Sequence, residues 1–170
     1  LHPRVRRQRQ MCIRDRNYRR LMRLPAPELR PMMLQPLIDD LQKLYPACKF
    51  SISPEAGSRI LLADQGQIEQ VLINLLKNAR EACSRKSDKK IQVKARKLSA
   101  GNTTLTISDN GEGILPDVLD KIFVPFFTTK TSGSGIGLSL CKQIMTLHEG
   151  SINVKSEVGK GSSFILTFPK

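Results

Sequence analysis

The strongest constraint on the fold is an amphipathic helix expected over about residues 65–84, which carries two asparagines among apolar residues. Its apolar positions recur at i, i+3, i+4 and i+7 and predict one buried stripe. These positions are Ile68, Val71, Leu72, Leu75, Leu76 and Ala79. The opposite stripe is polar and consists of Gln67, Gln70, Asn74, Asn78 and Glu81. The two asparagines are about one turn apart, so they project in the same direction. Taken alone, the polar stripe favours a solvated face.

The elements around this helix predict a mixture of helices and strands. Asp64 is the expected N-cap of the long helix. The segment NYRRLMRLP is expected to be the end of another helix, stopped by Pro25 and Pro27. A helix in LQPLIDDLQKLY would share one face among Leu34, Leu37, Ile38, Leu41 and Leu44. The other predicted elements are strands in CKFSIS and RILLA separated by turn formers, a hairpin of IQVKARKL and TTLTISD around Gly101-Asn102, a helix over about 136–148, and strands in SINVKS and SSFILTF.

These elements do not follow a strict βαβ alternation, which favours an α+β two-layer sandwich. Residues 110–134 are rich in Gly, Pro, Ser and Thr and include several Phe residues. A loop this long in a compact domain is usually functional. The apolar fraction of 39% and charged fraction of 25% are typical of a globular protein. No apolar run approaches the ~18 residues that a membrane span needs, and the four scattered cysteines are expected to be free thiols in a reducing cytosol.

The net charge of +13 is concentrated at the start of the chain, where residues 1–30 hold ten arginines against Asp15 and Glu28. An arm of this kind is able to bind nucleic acid through phosphates, but it lacks interleaved aromatic residues apart from Tyr18. The stretch LHPRVRRQRQMCIRDR resembles translated adapter read-through at the edge of a fragmentary gene. We therefore expect residues 1–16 to be a non-native leader, with the native chain beginning near Asn17.

Asp109 ends a predicted strand and is followed by Asn110, Gly111, Glu112 and Gly113. A carboxylate beside two glycines can accept a hydrogen bond from a flat heteroaromatic ring that lies on bare backbone. Adenine offers its exocyclic amine there, whereas guanine presents an oxygen and would oppose two acceptors. The segment favours ATP over GTP, although a hairpin turn explains the motif equally well when it is taken alone.

A second glycine cluster, TSGSGIGLSL, opens the helix expected at 136–148. Gly133, Gly135 and Gly137 leave main-chain N–H groups able to approach an anion, and the helix start adds partial positive charge. The stretch is neither a Walker loop nor a dinucleotide fingerprint. Lys130, in PFFTTK, is expected to add a mobile positive charge over phosphates. A flexible linker and a solvated lysine are the alternatives.

The two asparagines of the long helix suit the same ligand. Mg²⁺ prefers octahedral oxygen ligands and keeps several waters. The amide oxygen of Asn78 can complete such a shell without adding negative charge beside a triphosphate. Asn74 would then hydrogen-bond a phosphate or a metal-bound water.

In this order, the segments resemble the GHKL ATP-binding fold and, within it, the catalytic and ATP-binding domain of bacterial sensor histidine kinases. The resemblance extends from about Leu34 to Phe168 and includes the N box NLLKNAREA, the G1 box DNGEGI, the F box FVPFFTTK, the G2 box GSGIGLSL and the closing GKGSSFILTF. It implies a Bergerat-type two-layer sandwich whose mixed, mostly antiparallel sheet carries helices on one face. It further implies that residues 17–30 end a dimerisation hairpin and linker, and that residues 31–170 form the catalytic domain.

By the same resemblance Asn78 is the Mg²⁺ ligand, Asp109 recognises adenine, and residues 111–134 form a lid over ATP. The residues implied to bind the nucleotide are Asn74, Asn78, Asp109, Gly111, Gly113, Ile114, Lys130, Gly133, Gly135, Ile136, Gly137 and Leu138.

Asn74 distinguishes a kinase from a hydrolase. ATPases of this superfamily place a glutamate there to activate water, whereas an amide is not a useful base near neutral pH. Asn74 therefore favours phosphoryl transfer to histidine. Glu81, where family members often have lysine or arginine, is not assigned to the site.

We expect the phosphoacceptor to lie outside this chain. His2 lies in the suspect leader, and His148 ends a helix, where the macrodipole would stabilise its imidazole. The implied partners are the protein's own dimerisation hairpin in a homodimer and a response-regulator receiver domain, with no nucleic acid. The domain is expected to be cytoplasmic, and a membrane is reached only through missing N-terminal segments. A GHKL-type ATPase and a basic nucleic-acid-binding protein are the alternative functions.

Overall fold

The computed structural model describes residues 24–131 and 133–170. The helix end expected in NYRRLMRLP and the arginine-rich leader lie almost entirely outside the described residues. The elements in chain order are β1 (Arg30–Met33), α1 (Leu34–Leu44), β2 (Lys49–Ile52), α2 (Pro54–Gly57), β3 (Ile60–Ala63), α3 (Gln65–Ala82), β4 (Ile91–Lys97), β5 (Thr103–Asp109), α4 (Pro116–Leu119), α5 (Gly137–Leu147), β6 (Ser151–Glu157) and β7 (Gly161–Phe168).

The main sheet has five strands in the order β2-β4-β5-β7-β6. Strands β2 and β4 pair in parallel, and the other three pairs are antiparallel. Every second residue of the central strands is buried, as expected for a sheet covered on one face. The residues buried in this alternation are Ile91, Val93 and Ala95 on β4, Thr103, Leu105 and Ile107 on β5, and Ser162, Phe164, Leu166 and Phe168 on β7.

Helices cover that buried face. Helix α3 packs on β4, β5 and β7, α5 packs on β6, and the two helices contact each other. The fold is therefore the α+β two-layer sandwich expected from the sequence, with a mixed, mostly antiparallel sheet. None of the helices that the structure describes is long and apolar enough to cross a lipid bilayer.

Helix α3 has the cap and the apolar stripe that the sequence predicts. The Asp64 carboxylate accepts the main-chain N–H of Gln67 at 3.1 Å, and the six predicted apolar residues are all buried. The polar stripe is predicted less well, because Gln67 is only 8% exposed. Its amide nitrogen donates to the carbonyl of Pro25, so the start of α3 is covered by the preceding segment instead of by water.

Three further differences have local causes. Strand β1 was not expected; it pairs antiparallel with β3 in a separate two-stranded sheet, in which Pro31 is tolerated because the strand is an edge. Residues 54–57 form a helical turn, since Ser53 caps the N–H of Ala56. Leu44 is 63% exposed because it is the last residue of α1, whereas the other four residues of the predicted apolar face are buried.

His148 ends α5 as expected, but hydrogen bonds explain its position better than a charged ring does. Its Nδ1 is 2.8 Å from the carbonyl of Ile144, and its Nε2 accepts the main-chain N–H of Asp64 at 3.0 Å. Both contacts are satisfied by one neutral tautomer. The buried imidazole therefore joins the end of α5 to the start of α3.

Candidate nucleotide site

Four segments converge at one end of the α3–α5 layer: the second half of α3, the end of β5, the loop after it, and the start of α5. The sheet register positions the end of β5, since Asp109 lies opposite Ile91 on β4 and Ser162 on β7. Contacts of α3 with β5 and α5 bring the asparagines of α3 to the same region.

Asp109 is partly buried at the mouth of this region, and its carboxylate accepts the main-chain N–H of Gly111 at 2.8 Å. Burial raises the pKa of Asp109, and the opposing effects of the Gly111 and Ser162 N–H groups and of the Lys86 charge do not cancel that rise. An acid in such a place is a strong acceptor for a neutral donor, because water competes little for it.

The glycines after Asp109 are required by the packing of the chain itself. A Cβ at Gly111 would lie 2.6 Å from the carbonyl oxygen of Ala82. Gly113 has φ +75°, and a Cβ there would lie 2.3 Å from the carbonyl oxygen of Glu157. The next residue, Ile114, donates its N–H to Ser156 Oγ at 2.8 Å. The G1 segment is thus held against both α3 and β6.

Two glycines of the second cluster pack closely against other residues, and the third faces open space. Gly133 and Gly135 pack against Thr128 and Phe126, and Gly135 has φ +71°. The carbonyl of Gly135 also accepts the N–H of Phe126 at 2.8 Å. At Gly137, by contrast, an added Cβ would meet no atom of the described chain within 4 Å. The G2 segment therefore leaves space at the start of α5.

The N-terminus of helix α5, at Ile136, lacks a side-chain cap in the part of the chain that the structure describes. The first N–H groups of a helix have no intrahelical acceptor and carry partial positive charge. Ile136 and Leu138 are partly buried, and Leu138 packs against the core. This end of α5 is suited to an anion such as a phosphate.

Asn74 and Asn78 are both partly buried on the face of α3 that points into the region. The amide nitrogen of Asn74 donates to the thiol sulfur of Cys141 at 3.9 Å. The amide oxygen of Asn78 lies 3.5 Å from the ammonium nitrogen of Lys130. Lys130 also forms an ion pair with Glu81.

The structure brings together residues that the sequence pattern does not assign to the site. Glu81, expected to lie outside it, holds Lys130 beside Asn78. Asn110 fastens the loop before β4: its Oδ1 accepts the N–H of Lys90 and its Nδ2 donates to the carbonyl of Asp88, each at 2.8 Å. The position of Glu81, about one turn after Asn78, was a sequence signal for its contact with Lys130. The hydrogen bonds of Asn110 depend on tertiary structure alone.

The donor set indicates which metal the site would suit. Within the described part of the chain, no three His, Cys, Asp or Glu residues lie together as a metal cluster. The amide oxygen of Asn78 is a neutral oxygen donor of a type that Mg²⁺ can take as a ligand. The ammonium of Lys130 is a cationic group that lies 3.5 Å from the Asn78 amide oxygen.

A separate cleft of about 320 Å³ lies at the other end of α3. Its lining residues are Glu28, Arg30, Pro31, Met32, Ala63, Asp64, Gln65 and Gly66. None of the residues predicted to bind nucleotide is among them, so it is distinct from the site.

Comparison with known proteins identifies the family. The model of the histidine kinase-, DNA gyrase B-, and HSP90-like ATPases matches residues 63–170. The chain belongs to this family. The structure is similar to the catalytic domain of histidine kinase ThkA, with a TM-score of 0.72, 32% identity, and coverage of 84% of this chain and 96% of that one.

The sequence relatives over this domain include a sensor histidine kinase, in agreement with the resemblance drawn from the sequence. Sensor histidine kinase ZraS of Salmonella typhimurium is 42% identical over 107 residues, which are 63% of this chain and 23% of that protein. Sensor protein FixL of Bradyrhizobium diazoefficiens is 36% identical over 121 residues, which are 71% of this chain and 24% of that protein. The chain therefore corresponds to an ATP-binding domain that spans about a quarter of these relatives.

Proposed function

We propose that this ATPase-family domain binds ATP with Mg²⁺ and transfers the γ-phosphoryl group to a histidine on the dimerisation hairpin of a sensor histidine kinase. The observation that carries the proposal is the environment of Asn74. An amide one turn before Asn78, hydrogen-bonded to a buried thiol, offers no base for activating water. A phosphodonor benefits from this because it must keep ATP intact until the acceptor docks.

The nucleotide would lie between β5 and the start of α5. The Asp109 carboxylate would accept the adenine amine, and the uncapped N–H groups after Ile136 would bind phosphate oxygens. The open space at Gly137 would let the phosphates approach that helix end. Gly111, Gly113, Gly133 and Gly135 would contribute by holding the two loops in place.

Mg²⁺ would be held by the amide oxygen of Asn78 together with phosphates and water. When bound, it would neutralise negative charge that develops on the phosphates. The amide nitrogen of Asn74 is engaged by Cys141, so its Oδ1 is the atom suited to accept from a metal-bound water. Lys130 would supply a further positive charge to the phosphates.

In the transfer, the bond between the γ-phosphorus and the ADP oxygen breaks as a bond to the acceptor nitrogen forms, and ADP leaves. His148 does not suit the acceptor role, because its ring is buried and both nitrogens are engaged. The partners would be the hairpin of a homodimeric full-length protein and then a response-regulator receiver domain. Cys48, Cys83 and Cys141 are free and buried, which fits the reducing cytoplasm in which such a domain would act.

The test uses the chain with radiolabelled ATP, Mg²⁺ and a separate hairpin bearing its histidine, taken from the cognate protein. We expect acid-labile, alkali-stable label on the hairpin, and loss of that label with Asn78→Ala. Clear ATP binding without labelled cognate hairpin would overturn the proposed kinase activity.

Asn74→Glu provides the complementary test against hydrolysis. The parent chain should release little phosphate without an acceptor, and the glutamate variant should release more because it restores a base at that position. Robust hydrolysis by the parent chain would favour an ATPase instead.

A further inference from the structure

The ion pair between Glu81 and Lys130 joins two segments that are 49 residues apart in the sequence. Glu81 lies three residues after Asn78 on α3, so the two side chains share a face of the helix. The Lys130 ammonium therefore contacts a carboxylate and an amide oxygen that lie about one turn apart.

The main chain on both sides of Lys130 is held in a local turn. Its N–H donates to Thr128 Oγ1 at 3.0 Å, and its carbonyl accepts the N–H of Gly133 at 3.3 Å. Gly133 is needed for this turn, because a Cβ there would lie 2.6 Å from Thr128 Oγ1. The contact with Glu81 is thus supported by a local turn.

We propose that Glu81 is a latch residue that holds Lys130 on α3 in the nucleotide-free domain and competes with the nucleotide's phosphates for that lysine. The inference rests on the proposed function, since it assigns Lys130 to the phosphates of a bound nucleotide. When ATP binds, the ammonium moves from the Glu81 carboxylate to the terminal phosphates. Glu81 therefore weakens nucleotide binding, in contrast to a residue that merely positions Lys130 for its ligand.

The size of the effect follows from the exposure of the pair. The Lys130 and Glu81 side chains are 45% and 41% exposed, so water and salt screen the contact. Ion pairs of this kind are weak. Removing the competing Glu81 carboxylate should therefore tighten ATP binding only about two- to fivefold. A triphosphate carries more charge than one carboxylate and displaces it.

Glu81→Gln tests the latch by calorimetry with adenosine, ADP and ATP in the presence of Mg²⁺. Adenosine has no phosphate to receive Lys130, so its affinity should stay unchanged. ATP should bind about two- to fivefold more tightly, and ADP should gain less. The gain should shrink at high salt. If Glu81 only positioned Lys130, the same variant would weaken ATP binding.

Two controls isolate the lysine. Glu69→Gln removes the same charge from the same helix about 18 Å away and should leave all three affinities unchanged. In a Lys130→Met background, Glu81→Gln should lose its effect. If the gain persisted there, Glu81 would act by direct repulsion of phosphate and the latch would be refuted.

Failure of the latch is distinguishable from failure of the proposed function. A parent chain that binds ATP but gains nothing from Glu81→Gln would overturn the latch alone. A parent chain that binds neither adenosine nor ATP would overturn the nucleotide site itself.

Discussion

Replacing Asp109 by asparagine should separate recognition of adenine from the stability of the domain. Asparagine has nearly the same shape, and its Oδ1 can still accept the N–H of Gly111 that the carboxylate now accepts. The substitution removes the charged acceptor that we propose for the adenine amine. Hydrogen bonds to charged groups contribute about 1.5–3 kcal/mol, which corresponds to a roughly 10- to 150-fold loss in affinity.

As pH rises, the stability of the nucleotide-free domain and the affinity for adenine should change in opposite directions. Burial raises the pKa of Asp109, so the folded domain binds its proton more tightly than the unfolded chain does. The free energy of unfolding therefore falls as pH rises from the ordinary carboxyl pKa through the raised one. Over the same window adenine binding should strengthen, because ionised Asp109 is the proposed acceptor. Asp109→Asn should remove the contribution of Asp109 to both pH dependences and leave the nucleotide-free domain at least as stable at neutral pH.

The assay combines calorimetric titration of adenosine and ATP with thermal melting from about pH 4 to pH 7. Asp117→Asn, at an exposed position in the first turn of α4, is the matched control and should leave adenosine affinity unchanged. An Asp109→Asn variant that is folded and binds adenosine as tightly as the parent would refute the adenine assignment. So would parent affinities that do not vary across the pH range.

Three other substitutions or reagents probe the framework of the site. Gly161→Ala should disrupt the site and lower the free energy of unfolding by at least about 2 kcal/mol. The reason is that Gly161 has φ +119° and a Cβ there would lie 2.0 Å from the carbonyl oxygen of Asp109. Denaturant melts measure the loss. Asp64→Ala should lower the free energy of unfolding by about 1 kcal/mol, because the variant loses the N-cap of α3. Burial acts to raise the pKa of Asp64, but main-chain donors including Gln67 outweigh it and lower that pKa, so parent and variant stabilities should converge as pH falls through the lowered value. Burial raises the pKa of Cys141 to about 12, so thiol reagents followed by mass spectrometry should leave it unlabelled at neutral pH until the domain unfolds.

Much of the framework is predictable because it depends on local patterns. The apolar stripe of α3 and its Asp64 cap recur at helical spacing, and the β4–β5 hairpin follows from alternation around a glycine turn. These signals need only neighbouring residues. β1 is missed for the same reason, since a short strand containing Pro31 has no local signal and forms only because β3 lies beside it.

The sequence predicts which residues belong to the candidate site, but it does not predict which residues they contact. The order of asparagines, acid and glycine clusters was sufficient for the family, which the comparisons confirm. The separate roles of Asn78 and Asp109 stay predictions. The structure adds that Gly111 and Gly113 serve the packing of the loop against α3 and β6, whatever ligand it binds.

The sequence by itself determined most of the helices and strands, and which polar residues accompany them, because those properties repeat over a few residues. Only the tertiary structure decided that Glu81 meets Lys130, that Gln67 is covered, and that His148 joins two helices. Each of these contacts joins residues far apart in the chain, and long-range partners carry no periodicity that a single sequence displays. The electrostatics of the candidate site depend on those partners, so they are set only by the folded structure.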